Sequence, residues 1–272
     1  MTTSNSTPNI VLIGGAELDI KNRPLGQLQF GPENPGTISI DCNSKAWNMA
    51  LDLAGQGFMV EFISVAGNDF SGLAMKAQLE RNGVGVGNFH LIDGKDTAAR
   101  HEILNLLDQP EMEFQNGDVF DQLTKEMIDQ AAKSISLADC ILLETRFPQE
   151  VIQHIATSFS GIPILLIPDS EESVGKAKSI LGQIKGILIG RRSAEVLSGL
   201  SILSEEEMLA AGEWFFDAGI GQVFFDLGFG GVYFKDQLGT GVERPGPARL
   251  ATIVEGFVQN RPASESAAAA IK

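Results

Sequence analysis

Short apolar runs alternate with amphipathic stretches along most of this chain, and the alternation predicts its secondary structure. The predicted strands are Ile10–Ile13, Val60–Val65, Cys140–Glu144, Ile162–Ile167, Gly186–Ile189, Val223–Asp226 and Gly231–Phe234. The predicted helices are Ala46–Gln56, Gly72–Asn82, Leu123–Ala138, Gln149–Ser158, Val174–Gln183 and Glu205–Ala218. Strands that alternate with helices in this way predict an α/β fold, with a mostly parallel sheet covered by helices on both faces.

Two segments, about 17–40 and 97–116, depart from this alternation. They are more polar, and Thr37–Ile40 alternates between polar and apolar residues like an edge strand. Asp108-Gln109-Pro110 joins two extended stretches of the second segment, which predicts a hairpin. We therefore expect a small separate sheet built from these two segments.

Charge and composition exclude several classes of partner. The chain has 272 residues and a net charge of −15, so a nucleic-acid backbone or an anionic membrane would repel it. No apolar run approaches the roughly 18 residues of a membrane span. Cys42 and Cys140 lie far apart, and they and the three histidines lack metal-ligand spacing. We expect a cytoplasmic protein with reduced thiols and no bound metal.

The segment Gly241–Ala248 carries the strongest functional signal. It follows a strand-turn-strand pattern, Gln222 to Phe234, and precedes a helical run that begins at Arg249. A glycine-rich turn at a helix N-terminus offers backbone N–H groups to a phosphate, and a kinase adds a carboxylate that takes the proton of the attacking hydroxyl. Here the turn has two prolines, which lack an N–H, and no aspartate.

Several motifs, taken in order, resemble the ribokinase-like (PfkB) carbohydrate and nucleoside kinases, and the pseudouridine kinases among them. They are GGAELDI (14–20), NPGTISI (34–40), NMALDLAGQG (48–57), SVAGNDFSG (64–72) and LGFGGVYF (227–234). The resemblance implies one ribokinase-like domain over residues 1–272, a three-layer α/β sandwich. It also implies a small β lid, formed by segments 17–40 and 97–116, through which two copies form a homodimer.

The resemblance implies a role for some residues. Asp19 and Asn48 match positions that bind the hydroxyl groups of a sugar, and Gly228 and Gly231 match glycines that let the backbone approach a nucleotide. Asp69 matches a turn aspartate. Three of these residues have a simpler alternative: Asp19 and Asp69 as turn residues without a ligand, and Asn48 as a residue that starts a helix.

Three other motifs of the family have changed. Asn43–Trp47 stands where the family has glycines, so we expect Trp47 to narrow the pocket or to pack beneath the lid. Gly190 and Ser193 replace the polar residues that order magnesium, and Pro247 replaces the catalytic aspartate. No catalytic residue and no metal ligand is then expected.

These losses favour a catalytically inactive kinase homologue that keeps a sugar or nucleoside site and needs no cofactor. The first alternative is an active kinase that uses ATP and Mg²⁺, with Asp169 or Asp226 as a substitute base. The second is a structural subunit without a small ligand. Arg191, Arg192 and Arg244 are candidates for holding an anion or for ordinary surface residues, and Arg100 and His101 are candidates for facing a ligand from the lid hairpin.

Overall fold

A computed structural model describes residues 7–31, 33–243 and 249–271 of the chain. The strands are β1 (Asn9–Ile13), β2 (Leu18–Pro24), β3 (Gly36–Cys42), β4 (Met59–Gly67), β5 (Phe89–Ile92), β6 (Ala99–Leu104), β7 (Pro110–Asn116), β8 (Cys140–Leu143), β9 (Ile164–Leu166), β10 (Gly186–Gly190), β11 (Gln222–Asp226), β12 (Val232–Asp236) and β13 (Gly239–Glu243). The helices are α1 (Lys45–Gly55), α2 (Phe70–Arg81), α3 (Lys125–Gln130), α4 (Ala132–Ser136), α5 (Gln149–Ser158), α6 (Arg191–Ser198), α7 (Glu205–Asp217), α8 (Leu250–Val258) and α9 (Ala263–Ile271).

Nine of these strands form the central sheet, in the order β13-β12-β11-β10-β9-β8-β1-β4-β5. The strands from β11 to β5 pair in parallel, whereas β12 and β13 are antiparallel additions at one edge. Apolar residues are buried on both faces of the sheet, in two clusters under the covering helices. This is the predicted α/β ribokinase-like fold with a mostly parallel central sheet.

The remaining four strands form a small sheet, in the order β3-β2-β6-β7. The central pair, β2 and β6, is parallel, and the two outer pairs are antiparallel. β2 begins only a few residues after β1, so this sheet is rooted at the carboxyl end of a central strand. We call it the lid.

Five elements differ from the sequence prediction, and one of them, the helix α6, was not predicted at all. β5 and β13 had no clear pattern, since β5 is short and β13 contains Gly239 and Gly241. The predicted helix at 174–183 is a 3-10 helix with two glycines, which lower α-helix propensity. The predicted helix Leu123–Ala138 is two short helices, α3 and α4, with Ala131 between them.

Candidate ligand site

The candidate site lies where the carboxyl ends of β1 and β8 meet the lid and the start of α1. Ligands bind at this edge of a parallel sheet because its loops and helix N-termini converge there. Gly14 and Gly15 form its floor, and both positions need glycine. A Cβ at Gly14 would lie 2.3 Å from the Cβ of Ala46, and one at Gly15 would lie 2.5 Å from Cδ of Arg146.

Asp19 lies at the root of the lid, in β2, and only 8% of its surface is exposed. Its Oδ2 accepts hydrogen bonds from Nζ of Lys21 at 2.6 Å and from Nδ2 of Asn43 at 3.1 Å. Its Oδ1 is buried and has no hydrogen-bond partner among the described residues. Burial alone would raise the pKa of Asp19, but the bonds from Lys21 and Asn43 and the positive charges nearby lower it below its usual value.

Asn48 lies in the first turn of α1, and Asn43 links it to Asp19. Nδ2 of Asn48 donates to Oδ1 of Asn43 at 2.9 Å. Ser44 caps the helix, since its Oγ accepts from the backbone N of Trp47 at 3.0 Å. The two residues predicted to bind sugar therefore belong to one row, Asp19–Asn43–Asn48.

Trp47 does not narrow this site. It lies on the face of α1 that packs against the sheet, and 1% of its surface is exposed. The side chain of Asn43 instead lies between Asp19 and Asn48 and is hydrogen-bonded to both. Asn43 was missed because it lies outside the helical pattern and matches no family residue.

A buried ionic network organises the floor of the site. Glu144, directly after β8, accepts hydrogen bonds from the backbone N of Gly15 at 2.7 Å and of Ala46 at 3.0 Å. The carboxylate thus joins the turn after β1 to the start of α1. Burial raises the pKa of Glu144 to about 7.

Arg146 connects this floor to the lid and to the end of β9. Its Nη1 donates to Oε2 of Glu17 at 2.6 Å, and its Nη2 bonds Oδ1 of Asp169. The guanidinium also lies 4.8 Å from the ring centroid of Phe120. Burial opposes its charge, but Glu144, Asp169 and Glu17 raise the pKa of Arg146. The sequence had one signal for this network: charged residues that directly follow a buried parallel strand.

The lid presents a charged face to the site. Asp19 and Arg100 are paired residues of β2 and β6, so their side chains lie on the same face of the lid. Lys21 lies two positions after Asp19 in β2 and therefore points to that face as well. Nζ of Lys21 lies 3.6 Å from Oε2 of Glu102, and Arg100 bonds the same carboxylate.

His101 lies on the opposite face of the lid and does not face the site. Its Nε2 is 3.0 Å from Nδ2 of Asn22. The ring of His101 also lies beside that of Phe114, with 6.4 Å between centroids. The alternative that His101 contacts a ligand from its own lid is therefore wrong.

The expected nucleotide side lies at the ends of β10 and β11. Gly228 and Gly231 form the turn after β11 and have φ angles of 59° and 97°, which favour glycine. Asp226 pairs with Gly190 across the sheet, and its Oδ1 accepts from the backbone N of Gly228 at 2.9 Å. Gly190 precedes α6 and Ser193 lies in its first turn, which contains no acidic residue.

Four further residues were singled out in the sequence. Asp69 caps α2, since its Oδ1 accepts from the backbone N of Gly72 at 2.8 Å, so its turn role is confirmed. The side chain of Arg192 is 75% exposed, as for an ordinary surface residue. Pro247 and Arg244 lie outside the described residues.

Comparison with known proteins gives a family and a fold. The profile described as pfkB family carbohydrate kinase matches residues 45–252. The chain is 25% identical over 211 residues to a pseudouridine kinase of Escherichia coli, a match that covers 78% of this chain and 67% of the relative. It is 26% identical to an uncharacterized sugar kinase, YeiI, of the same species, with 59% of that relative covered.

Solved structures share the fold across nearly the whole chain. A carbohydrate kinase from Agrobacterium tumefaciens superimposes with a TM-score of 0.85 at 19% identity, covering 97% of this chain and 89% of the other. An Arabidopsis thaliana ribokinase complexed with ribose and ATP gives 0.82 at 18% identity, with 96% and 89% covered.

Proposed function

Because this chain belongs to the pfkB family of carbohydrate kinases, we propose that it binds a sugar or a nucleoside beneath its lid without phosphorylating it. The proposal is supported by a contrast between the side of the site expected to bind a sugar and the side expected to bind phosphate. On the sugar side, Asp19, Asn43 and Asn48 form a hydrogen-bonded row, and its buried acceptor, Oδ1 of Asp19, has no donor in the part of the chain that the structure describes. A ligand hydroxyl would supply that donor, and a buried polar atom left without one is costly.

Among the described residues, the start of α6 offers Mg²⁺ no carboxylate. Magnesium binds through carboxylates, phosphates and water in near-octahedral geometry, but Gly190 has no side chain and Ser193 has only a hydroxyl. Glu195 is the first carboxylate of α6, and its Oε1 accepts from the backbone N of Ile202 at 2.8 Å. No aspartate follows Asp236 in the sequence, so the helix that begins at Leu250 has none near its start.

One observation favours an active kinase as the second candidate. Asp226 lies beside Gly190, where a carboxylate could assist phosphoryl transfer. Its Oδ1 is already held by Gly228, however. Asp169, the other substitute base, is ion-paired with Arg146. Both carboxylates therefore have structural partners, which favours the inactive reading.

A ligand screen by thermal unfolding tests the proposal. Pseudouridine, uridine, ribose and fructose are added to the wild type and to Asp19→Asn, with and without Mg-ATP. A ligand that binds only the folded state raises the unfolding temperature, so at least one compound should stabilise the wild type and not Asp19→Asn. A phosphorylated product in the mixtures with Mg-ATP, detected by mass spectrometry and lost in Asp226→Asn, would establish the kinase instead.

The outer face of the lid supports a second part of the proposal, a homodimer. This face carries Ile38, Ile40 and Phe114, which are 70%, 62% and 57% exposed. An apolar sheet face in a chain of net charge −15 is a surface that normally becomes covered. A second copy offers the same apolar face, and a two-fold axis would bring the two together.

The proposal also includes a location in the cytoplasm. Cys42 and Cys140 are both free thiols, which supports a cytoplasmic location. Among the described residues, no helix is long and apolar enough to cross a membrane.

A further inference from the structure

The outer face of the lid contains a group that can change its charge near neutral pH. By the strand register, the row through the middle of this face is Ile40–Ile20–His101–Phe114. Residues of a strand alternate between the two faces of a sheet. Of the residues that the register pairs on the outer side, all are uncharged except His101 when it is protonated. The paired charged residues of the lid strands lie on the side that faces the site.

His101 has an uncharged hydrogen-bond partner on this face. Its Nε2 lies 3.0 Å from Nδ2 of Asn22, so the neutral ring accepts a hydrogen bond in this arrangement. Oδ1 of Asn22 is buried and has no partner among the described residues. A protonated ring would need the amide to turn this oxygen toward Nε2, and it would still place a positive charge on an otherwise uncharged face.

No paired residue of the outer face can balance that charge. β2 and β7, on either side of His101, offer it uncharged side chains. Cys42 is the other titratable group on this face, and burial raises the pKa of its thiol, so it stays uncharged near neutral pH. Glu111 lies at the irregularity of β7 near the lid tip, outside the paired positions, and accepts from Nδ2 of Asn105 at 3.0 Å.

Contact between two such faces would favour the neutral form of His101. The ordinary pKa of an imidazole is about 6.5. A charged ring that loses its water between two uncharged faces gains no opposite charge in return. A two-fold axis brings one His101 from each copy into the interface. Association is therefore strongest above the pKa of the free ring and weakens as the pH falls below it.

We infer that protonation of His101 dissociates the homodimer, so that contact between the two lids responds to pH. The inference rests on the proposed homodimer and specifies its regulation. Its sign is opposite to the effect of overall charge. The chain has 35 acidic and 20 basic residues, so acidification reduces the repulsion between copies and would by itself strengthen association.

Sedimentation equilibrium of the full chain measures the dimer dissociation constant at two pH values, about one unit above and about one unit below the ordinary histidine pKa. At the lower pH about one free ring in ten is neutral. Two neutral rings are needed, so the wild-type dissociation constant should rise by about tenfold to about a hundredfold. His101→Gln keeps an uncharged hydrogen-bonding side chain, and its dissociation constant should change by less than about threefold.

The matched control is His154→Gln, because His154 lies on α5, where its Nε2 is 2.7 Å from Oδ1 of Asp129. This variant should follow the wild type. A wild-type dissociation constant that changes by less than about threefold overturns the inference. A His101→Gln variant that weakens as much as the wild type also overturns it.

Two further variants keep the test decisive. If His101→Gln does not dimerise at either pH, His101→Phe replaces it, because an apolar ring suits this face, and its dissociation constant should be equally insensitive to pH. A wild type that is monomeric at the higher pH contradicts the homodimer itself. A dimer that persists in Ile40→Lys shows that the copies meet elsewhere. Both results differ from a lid dimer that does not respond to pH, which overturns only the inference about His101.

Discussion

At the scale of single residues, Glu144 is a fully buried carboxyl whose protonation we expect to affect stability. Its carboxylate accepts hydrogen bonds from the backbone N of Gly15 and of Ala46, at the floor of the candidate site. Burial raises its pKa to about 7. In the unfolded chain the pKa of a glutamate is about 4.3. When the pKa of a group is higher in the folded state, its contribution to stability is fully present at a pH below the unfolded-state pKa. That contribution is lost as the pH rises through the folded-state pKa.

We therefore expect the stability of the wild type, relative to Glu144→Gln, to fall as the pH rises from about 4.3 to the folded-state pKa of about 7. The amide of the variant cannot ionise, so the difference between the two proteins isolates this group. Unfolding temperatures at intervals across that range measure the difference. A difference that grows with pH would mean that the ionised carboxylate stabilises the fold through Arg146, contrary to this account.

Some residues of the candidate site could be predicted from the sequence, and others could not. Asp19 and Asn48 were found because each lies in a motif with a recognisable order along the chain. Asn43 and Arg146 were not, since their importance comes from side-chain contacts across segments distant in sequence. The bond from Arg146 to Glu17, for example, spans 129 positions, and no local pattern encodes it.

At the scale of elements, the packing of α7 on β12 requires a glycine. A Cβ at Gly212 would lie 1.8 Å from Oη of the buried Tyr233, whose hydroxyl bonds Thr240. Gly212→Ala should destabilise the fold by about 1–3 kcal/mol, as overpacking does. Gly55→Ala, in α1, is the matched control, because a Cβ added there would meet no neighbouring side chain or segment within 4 Å. This variant should stabilise the fold by about 0.5–1 kcal/mol, since glycine in a helix costs more conformational entropy than alanine.

Urea unfolding of both glycine variants checks this prediction. The change in midpoint at constant slope gives the free-energy difference. Equal effects of the two substitutions would contradict the close packing of α7 on Tyr233.

The lid gives a prediction about assembly. If its apolar face forms the homodimer interface, Ile40→Lys should convert a dimer to a monomer, because a buried unpaired charge opposes association. Light scattering after size-exclusion chromatography measures the mass, and Leu238→Lys, a 70% exposed position outside the lid, is the control. A wild type that is monomeric at tens of micromolar would contradict the proposed interface.

Elements with a clear pattern of apolar residues could be predicted from the sequence, whereas elements without such a pattern could not. The buried runs that became β1, β4 and β8 were recognised from their apolar residues alone. β13 was missed, because a five-residue strand with two glycines has no apolar alternation. Its pairing with β12 supplies the order that its own sequence lacks.

At the scale of the whole molecule, alternation of strands and helices predicts the α/β layers, and the motifs predict the family, pfkB carbohydrate kinase. Function follows less directly, because one fold hosts both active and inactive sites. The proposed inactivity rests on two sequence changes, at Gly190–Ser193 and at Pro247, where the family resemblance implies polar residues. Phosphoryl transfer depends on positioning and charge at both places together, so the proposal concerns the site as a whole.

The most direct measurement is transfer of labelled γ-phosphate from Mg-ATP to a ligand that the thermal screen identifies. The protein and the ligand are mixed at concentrations that saturate binding, so that the chemical step alone limits the signal. We predict a bound ligand and no labelled product above the level without protein. Stoichiometric or catalytic labelling of the ligand would contradict it.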